Sequence, residues 1–408
     1  MRILFICTDV PSRRHIRAHG MLKAMAGRGH QITVVCGASP DSRPYVAELR
    51  GRGLKVVAVP NRAAERGWNM LRALPSSLPA HAAAAFGPRM LEAVRAEVRS
   101  SAYDIAHIDG IAASALSFAL TGLPAVIDAT TCASMRLTRM AREGWLHAAQ
   151  IAPQLARTRH HEAAYLQSYD RVIAASTDDA WALGAISRHV DAPHAIHVVP
   201  TPVMLEHSPG LLTLREQGTL LLCADPEGRD AIVQHVVDSV MPRIWQQRAD
   251  IKLLVVGPLP ARMAQRGPAD PRMLSVSADD RQAMARATIA LAPGDTQSAD
   301  EALQAMAAGT PLVASSAIGR ALHAVNEGDL LLAHGPTALA QAVLELLDDP
   351  RYRGQIGRAG RAYIERQHSP EIVADELERI YAAATGAPIA DWGLHVGLSG
   401  LLNREVGG

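Results

Sequence analysis

Aromatic side chains are scarce: Phe, Trp and Tyr together make up 4% of the 408 residues. Few rings are left on which bases of single-stranded nucleic acid could stack, and few bulky anchors for a large protein interface. Charge of one sign is lacking too, with 41 Lys and Arg against 40 Asp and Glu and a formal net charge of +1. Such a chain carries no global field toward nucleic acid or an anionic surface, so no nucleic-acid partner is expected and any anion site must be local. Only four cysteines occur, Cys7, Cys36, Cys132 and Cys223. None belongs to a CxxC or CxxH pair, which excludes the usual zinc and redox motifs and reads as buried reduced thiols. No stretch approaches the ~18 apolar residues of a membrane-spanning helix. The apolar run in MRILFICTDV stops at Asp9, ahead of PSRRHIR, too soon for a secretory signal and suited to a first strand. These features lead us to expect a cytoplasmic protein, with peripheral membrane contact left open.

Several motifs are missing as well. A dinucleotide site needs GxGxxG after the first strand, where this chain has TDVPSRRHIR, so a Rossmann dehydrogenase is disfavoured. There is no Walker A sequence, no GxSxG elbow and no HExxH pair, which removes the usual support for several α/β chemistries; no metal and no cofactor are expected.

What the chain does contain is alternation. Short apolar runs at 2–7, 31–36, 55–59, 104–108, 124–128, 171–175 and 195–199 are separated by segments of helical period, most clearly near 14–28, 86–99, 152–168 and 178–187. This is the pattern of a parallel sheet with helices on both faces. It breaks at Thr201–Gln217, where prolines and HSPG mark a linker. It then restarts, with strands expected at 219–223, 251–257, 273–277, 288–292, 311–315 and 329–333. Helices are expected at 230–247, 300–308, 337–347, 352–367 and 370–384. The length itself suits two domains better than one. The expected fold is therefore α/β, with two doubly wound Rossmann-like domains, 1–205 and 206–385, and a central cleft. The Gly-rich segment 386–408, with Trp392, Leu394, Val396, Leu398 and Leu401, reads as a tail. It could wrap over the first domain, form the contact of a homodimer, or be only partly ordered.

Ligands of open parallel sheets bind beyond the C-terminal strand ends, where amides and helix N-termini can hold phosphate. One such segment is LAPGDTQSADEALQAMAAGTPLVASSAIG (291–319), in which a polar loop enters a small-residue helix that stops at Gly309 and Pro311. It resembles the family 4 retaining glycosyltransferases of GT-B fold, whose loop and helix carry a pair of glutamates before a stretch like LEAMAAGxPVVA. Other stretches agree in order. The opening strand, loop and helix end in an RGH turn at Arg28, Gly29 and His30. HHEAAYLQSYDRVIAASTDDAWAL (160–183), VVPTPV (198–203) and EGRDAIVQHVVDSVMPRIWQQRADIKLLVVGPLP (227–260) also match. The resemblance covers residues 1–384. It implies transfer of a sugar from a nucleoside-diphosphate sugar to an unidentified acceptor, with retention and without metal. The second domain would hold the donor and the first the acceptor, and 370–384 would cross back to the first domain.

In that family one glutamate lies near the sugar, the other binds the ribose, and amides between them hold the diphosphate. Here Gln304 stands at the second glutamate's place and Thr296 at the first's, with Asp300 and Glu301 one turn earlier than Gln304. The resemblance gives Arg229, Gly257, Ser298, Ala299, Asp300, Glu301 and Gln304 as donor-binding residues. Arg13, Arg14 and His15 become a phosphate or acceptor loop. Positive charge at a helix start opposes the macrodipole, which a bound anion would relieve. His107 and Asp109, which end the DIAHIDG strand, are the candidate catalytic residues; a structural histidine is the alternative for His107. Two rival readings stand beside sugar transfer. One is a non-catalytic GT-B partner or scaffold for another enzyme, favoured by the missing glutamate pair. The other is a GT-B sugar-phosphate epimerase.

Overall fold

In the computed structural model, the described residues are 1–12, 15–61, 67–69, 82, 87–141, 145–166, 168–189, 196–205, 217–224, 229–260, 270–277, 286–294 and 299–386. Chain contacts divide it into two units. The first comprises Met1–Ser12, Met21–Pro200 and Pro370–Gly408, and the second Arg13–Gly20 and Thr201–Ser369. The tail beyond residue 386 and most of the linker, 206–216, lie outside the described residues.

The first unit is built on a seven-stranded sheet in the order β3-β2-β1-β4-β5-β6-β7. Its strands are β1 (Arg2–Cys7), β2 (Gln31–Ala38), β3 (Lys55–Pro60), β4 (Ile105–Asp109), β5 (Ala125–Thr130), β6 (Arg171–Ala174) and β7 (Ile196–Val198). Every pairing is parallel. The helices are α1 (Ile16–Gly27), α2 (Arg43–Gly51), α3 (Pro88–Ser100), α4 (Ala133–Ala141), α5 (Trp145–Leu166) and α6 (Thr177–His189). A 3₁₀ segment, Ile111–Ala119, follows β4. The central strands are mostly apolar because helices cover both faces: Leu4, Ile6, Ala106, Ile108 and Ile127 lie in one buried cluster with Val94 and Leu183.

The second unit repeats the scheme with six strands in the order β10-β9-β8-β11-β12-β13. They are β8 (Thr219–Leu222), β9 (Lys252–Val256), β10 (Met273–Val276), β11 (Ile289–Ala292), β12 (Leu312–Ala314) and β13 (Leu331–Leu332). Its helices are α7 (229–247), α8 (Ala299–Ala307), α9 (Ser316–Leu322), α10 (Gly335–Asp348) and α11 (Pro350–Gln367). One uninterrupted helix was the expectation for 230–247; instead α7 widens into a π-type turn at Val236–Val240. Pro242 opens the next stretch, and a ring with no N–H to give the preceding turn breaks the regular ladder there. The start of α1 also belongs to this unit, not to the first as expected. Ile16 packs with Val203 and Leu221, and a Cβ on Gly20 would lie 2.7 Å from Pro202.

The last helix, α12 (Pro370–Thr385), returns to the first unit. Arg28 pairs with Asp375 and donates to the Glu371 carbonyl at 3.3 Å, while His30 Nε2 meets Glu378 at 2.8 Å. The RGH turn is thus the polar seat of α12.

At the end of the second unit, His368 Nδ1 sits 2.8 Å from the Thr201 carbonyl, and the Val203 amide donates to the His368 carbonyl at 2.8 Å. Burial, which the Thr201 carbonyl opposes and nearby Arg17 reinforces, holds the His368 imidazole down at about 4. The unfolded chain, with an ordinary value of ~6.5, therefore binds more protons than the native state between those limits, and stability is lost as pH falls from ~6.5 toward 4. We expect His368→Gln to flatten that part of the pH profile. Urea unfolding at pH 7.5 and 5 would show it, and an unchanged difference between the two pH values would refute it.

Candidate functional site

Each sheet reverses its strand order once, between β1 and β4 in the first unit and between β8 and β11 in the second. At such a point the two outgoing loops diverge and leave a crevice beyond the strand ends. In the second unit the loops leave β8 at Cys223 and β11 at Pro293, held side by side as the Cys223 amide donates to the Leu291 carbonyl at 2.9 Å.

Arg229 begins α7 on one side of this point. Gly257 follows β9 with φ at +92°, and a Cβ there would lie 2.5 Å from Arg229 Nη1 and 2.7 Å from Cζ. The guanidinium therefore rests on the bare glycine backbone, which only glycine permits, both in conformation and in space. Ser275 Oγ fixes the turn by donating to the Gly257 carbonyl at 2.8 Å. Arg229 Nε is buried with no hydrogen-bond partner among the described residues. A charged donor so placed is costly unless it meets an acceptor, and a phosphate oxygen has the right charge and geometry.

On the other side, α8 begins at Ala299 with Asp300 and Glu301 in its first turn, where the macrodipole favours acidic groups. Burial raises the Cys223 thiol, and the Glu301 carboxylate adds to that rise, which places Glu301 toward the end of β8. Gln304 Nε2 reaches back to the Asp300 carbonyl at 3.4 Å. At its other end α8 stops through Gly309, with φ +71°, and Arg361 Nη1 reaches the Ala307 carbonyl at 3.3 Å.

Of the residues expected at the donor site, Arg229 and Gly257 are in contact. Ala299, Asp300, Glu301 and Gln304 share α8, with the Glu301 carboxylate near enough to Cys223 to raise its thiol. Ser298 and Thr296 lie outside the described residues, as do Arg13 and Arg14; His15 is exposed ahead of α1. Ser315 was not anticipated. Its Oγ donates to the Gly294 carbonyl at 2.6 Å and accepts from the Ile318 amide at 3.3 Å, tying the loop before α8 to the start of α9. A serine just ahead of a short apolar helix is the signal that could have found it.

In the first unit the geometry corrects one expectation. His107 is wholly buried, its ring stacked on Phe5 at 4.6 Å between centroids and its Nδ1 2.7 Å from Tyr381 Oη on α12. The ring is turned into the core, where it packs between Phe5 and Tyr381, as the structural alternative for His107 expects. Asp109, two residues on, is half-buried at the C-terminal end of β4, in register with Cys7 of β1 and Asp128 of β5. Asp128 is buried and accepts from the Thr130 amide at 3.0 Å, while Thr130 takes a positive φ of 58°, a strained conformation for a β-branched residue. All four cysteines are free and buried. No described group of His, Cys, Asp and Glu is arranged to hold a metal. No helix among the described residues is long and apolar enough to cross a membrane.

Comparison with known proteins bears on the family and the fold. Residues 15–202 match the family model "Glycosyl transferase 4-like domain", and 220–349 match "Glycosyl transferases group 1". A phosphatidyl-myo-inositol mannosyltransferase of Mycobacterium leprae is 26% identical over 95% of this chain and 99% of its own. Among solved structures, sucrose-phosphate synthase from Thermosynechococcus elongatus superposes with a TM-score of 0.69 at 16% identity, covering 95% of this chain and 100% of that one. Anabaena HepE in complex with UDP and glucose does so with a TM-score of 0.64 at 14% identity, covering 94% and 99%.

Proposed function

Because the chain belongs to the GT-B glycosyltransferases of family 4 type, we propose that it moves a hexosyl group from a nucleoside-diphosphate sugar, held at the β8/β11 switch point, to an acceptor hydroxyl with retention of configuration. The observation that carries this reading is the Arg229 guanidinium seated on Gly257 with a buried, unpartnered Nε. Its charge would stabilise the departing diphosphate, and the amides at the start of α8 would add the helix dipole. Glu301 would accept from the ribose or sugar hydroxyls, with the Gln304 amide oxygen as a neutral second acceptor. Asp109 is our candidate to accept a hydrogen bond from the attacking hydroxyl, since it is the half-exposed carboxylate at the first unit's switch point. Mannose is the first sugar to test, after the Mycobacterium leprae relative, and glucose the second, after the Anabaena complex.

Gln304 and Thr296 stand where the family has its glutamate pair, which favours a second reading, a GT-B protein that has lost donor chemistry and serves as a partner for another enzyme. Calorimetric titration of UDP and GDP into wild type, Glu301→Ala and Gln304→Ala, together with release of nucleotide from GDP-mannose and UDP-glucose, separates the two. The transfer reading expects nucleotide binding that weakens in at least one variant, and nucleotide release that an added acceptor accelerates. No binding of any nucleotide or nucleotide sugar would reject the transfer reading and favour the scaffold one.

A further inference from the structure

The face of α5 that carries Thr158, Glu162 and Tyr165 is buried, yet Thr158 Oγ1, Glu162 Oε2 and Tyr165 Oη each lack a hydrogen-bond partner among the described residues. Thr158 and Glu162 are wholly buried and Tyr165 nearly so. Three such groups on one helical stripe are unusual, because a buried polar atom normally finds a partner in protein or in water. Steps of four and three residues put all three on one face of the helix, where such neighbours come within reach of one another and of a small molecule held between them.

We propose that this stripe is a binding site for internal water, which bridges Thr158, Glu162 and Tyr165 and so braces the loop that follows β5. The chemistry suits water: a carboxylate oxygen accepts, while the two hydroxyls each donate or accept, giving about the three partners that a buried water takes. The surroundings are polar enough to hold it. Glu162 Oε1 accepts from the Ser134 amide at 3.1 Å, Asp179 Oδ1 from the Cys132 amide at 2.8 Å, and Cys132 Sγ lies 3.5 Å from Ser134 Oγ. One helix turn thus reaches the loop through one oxygen of Glu162 and the water through the other. Burial raises the Glu162 carboxyl and the Tyr165 hydroxyl, the latter also through the nearby Glu162 and Cys132. Both shifts reflect burial, and the second also the nearness of Glu162 to Tyr165. The bound loop, from Thr130 to Ser134, stands at the C-terminal edge of the sheet beside the Asp109 strand. Hydration here is therefore a structural part of that edge, whichever reading of the activity holds.

The test combines a crystal structure of the full chain, at a resolution that shows ordered water, with thermal unfolding of Thr158→Val, Tyr165→Phe and Glu162→Gln. We expect density for a water within hydrogen-bond distance of at least two of the three atoms. Thr158→Val and Tyr165→Phe should each melt roughly 2–4 °C below wild type, and the double variant should lose less than the sum, since both act on one water. Glu162→Gln keeps one oxygen for the Ser134 amide and offers the water an amide N–H in place of the second oxygen, and should melt closer to wild type than either. A dry stripe, density too heavy for water, or hydroxyl-deleted variants that melt at or above wild type would each overturn the proposal. The last is the result of removing a hydroxyl that had no partner at all.

Discussion

With alanine in place of Arg229, the protein is expected to bind UDP and GDP roughly 10–100-fold more weakly than wild type, the loss that follows when a charge-assisted hydrogen bond worth ~1.5–3 kcal/mol is removed. The ligand-free melting temperature should not fall, because Arg229 Nε is a buried donor with no hydrogen-bond partner among the described residues, a cost that the substitution removes. Gly257→Ala tests the same pair from the other side. Its methyl would need the space of Arg229 Nη1 and Cζ, at 2.5 and 2.7 Å, and its φ of +92° is one that alanine resists. It should therefore lower affinity and also lower stability. Arg229→Lys keeps the charge but not the planar fork, and an intermediate affinity is expected. Titration calorimetry measures all three. If Arg229→Ala bound either nucleotide as tightly as wild type, the phosphate role of Arg229 would be lost.

The largest effect on stability is expected from Gly357→Ala in α11. A Cβ at Gly357 would overlap the carbonyl oxygen of Gly309, and one at Gly360 would lie 2.9 Å from the Asp329 carbonyl. The small residues of α11 let its backbone approach the end of α8, the helix that carries Glu301 and Gln304. Because the opposing atom is a main-chain oxygen, the overlap can be relieved only by separating the two helices. The expected loss is ~1–3 kcal/mol, more than the ~1 kcal/mol that alanine gains over glycine in a helix. Gly354→Ala supplies the control on the same helix. There the nearest atom is the end of the flexible Arg358 side chain at 3.4 Å, so propensity prevails and stability should rise. Thermal unfolding of the two variants should give opposite signs, and a shared sign would show that the α8–α11 approach is not tight.

Much of the candidate donor site was legible as a local pattern. The run from Leu303 to Pro311 announces a small-residue helix, a glycine stop and a strand, and α8 and β12 follow it. Asp300 and Glu301 at a helix start could likewise be placed, because the macrodipole and the loop chemistry are both local. That Arg229 rests on Gly257 could not be read, since β9 lies between them in sequence and only the parallel pairing of β8 with β9 brings the turns together. His107 shows the opposite case. Its place in DIAHIDG suggested the cleft end of a strand, but the side of the sheet to which a ring points depends on register and on the helix packed over it. The widened turn in α7 was foreshadowed by Pro242, whose cost the hydrophobic pattern of the helix concealed.

By itself, then, the sequence determined the two sets of alternating strands and helices, the parallel sheets and the order of their loops, because these follow from apolar periodicity and from turn residues acting over a few positions. Tertiary structure alone decided which residues meet. The return of α12 to the RGH turn, the clamp of His368 on Thr201 and the burial of His107 against Phe5 and Tyr381 all join positions far apart in the chain. Such contacts depend on strand order and helix placement, which no local preference encodes.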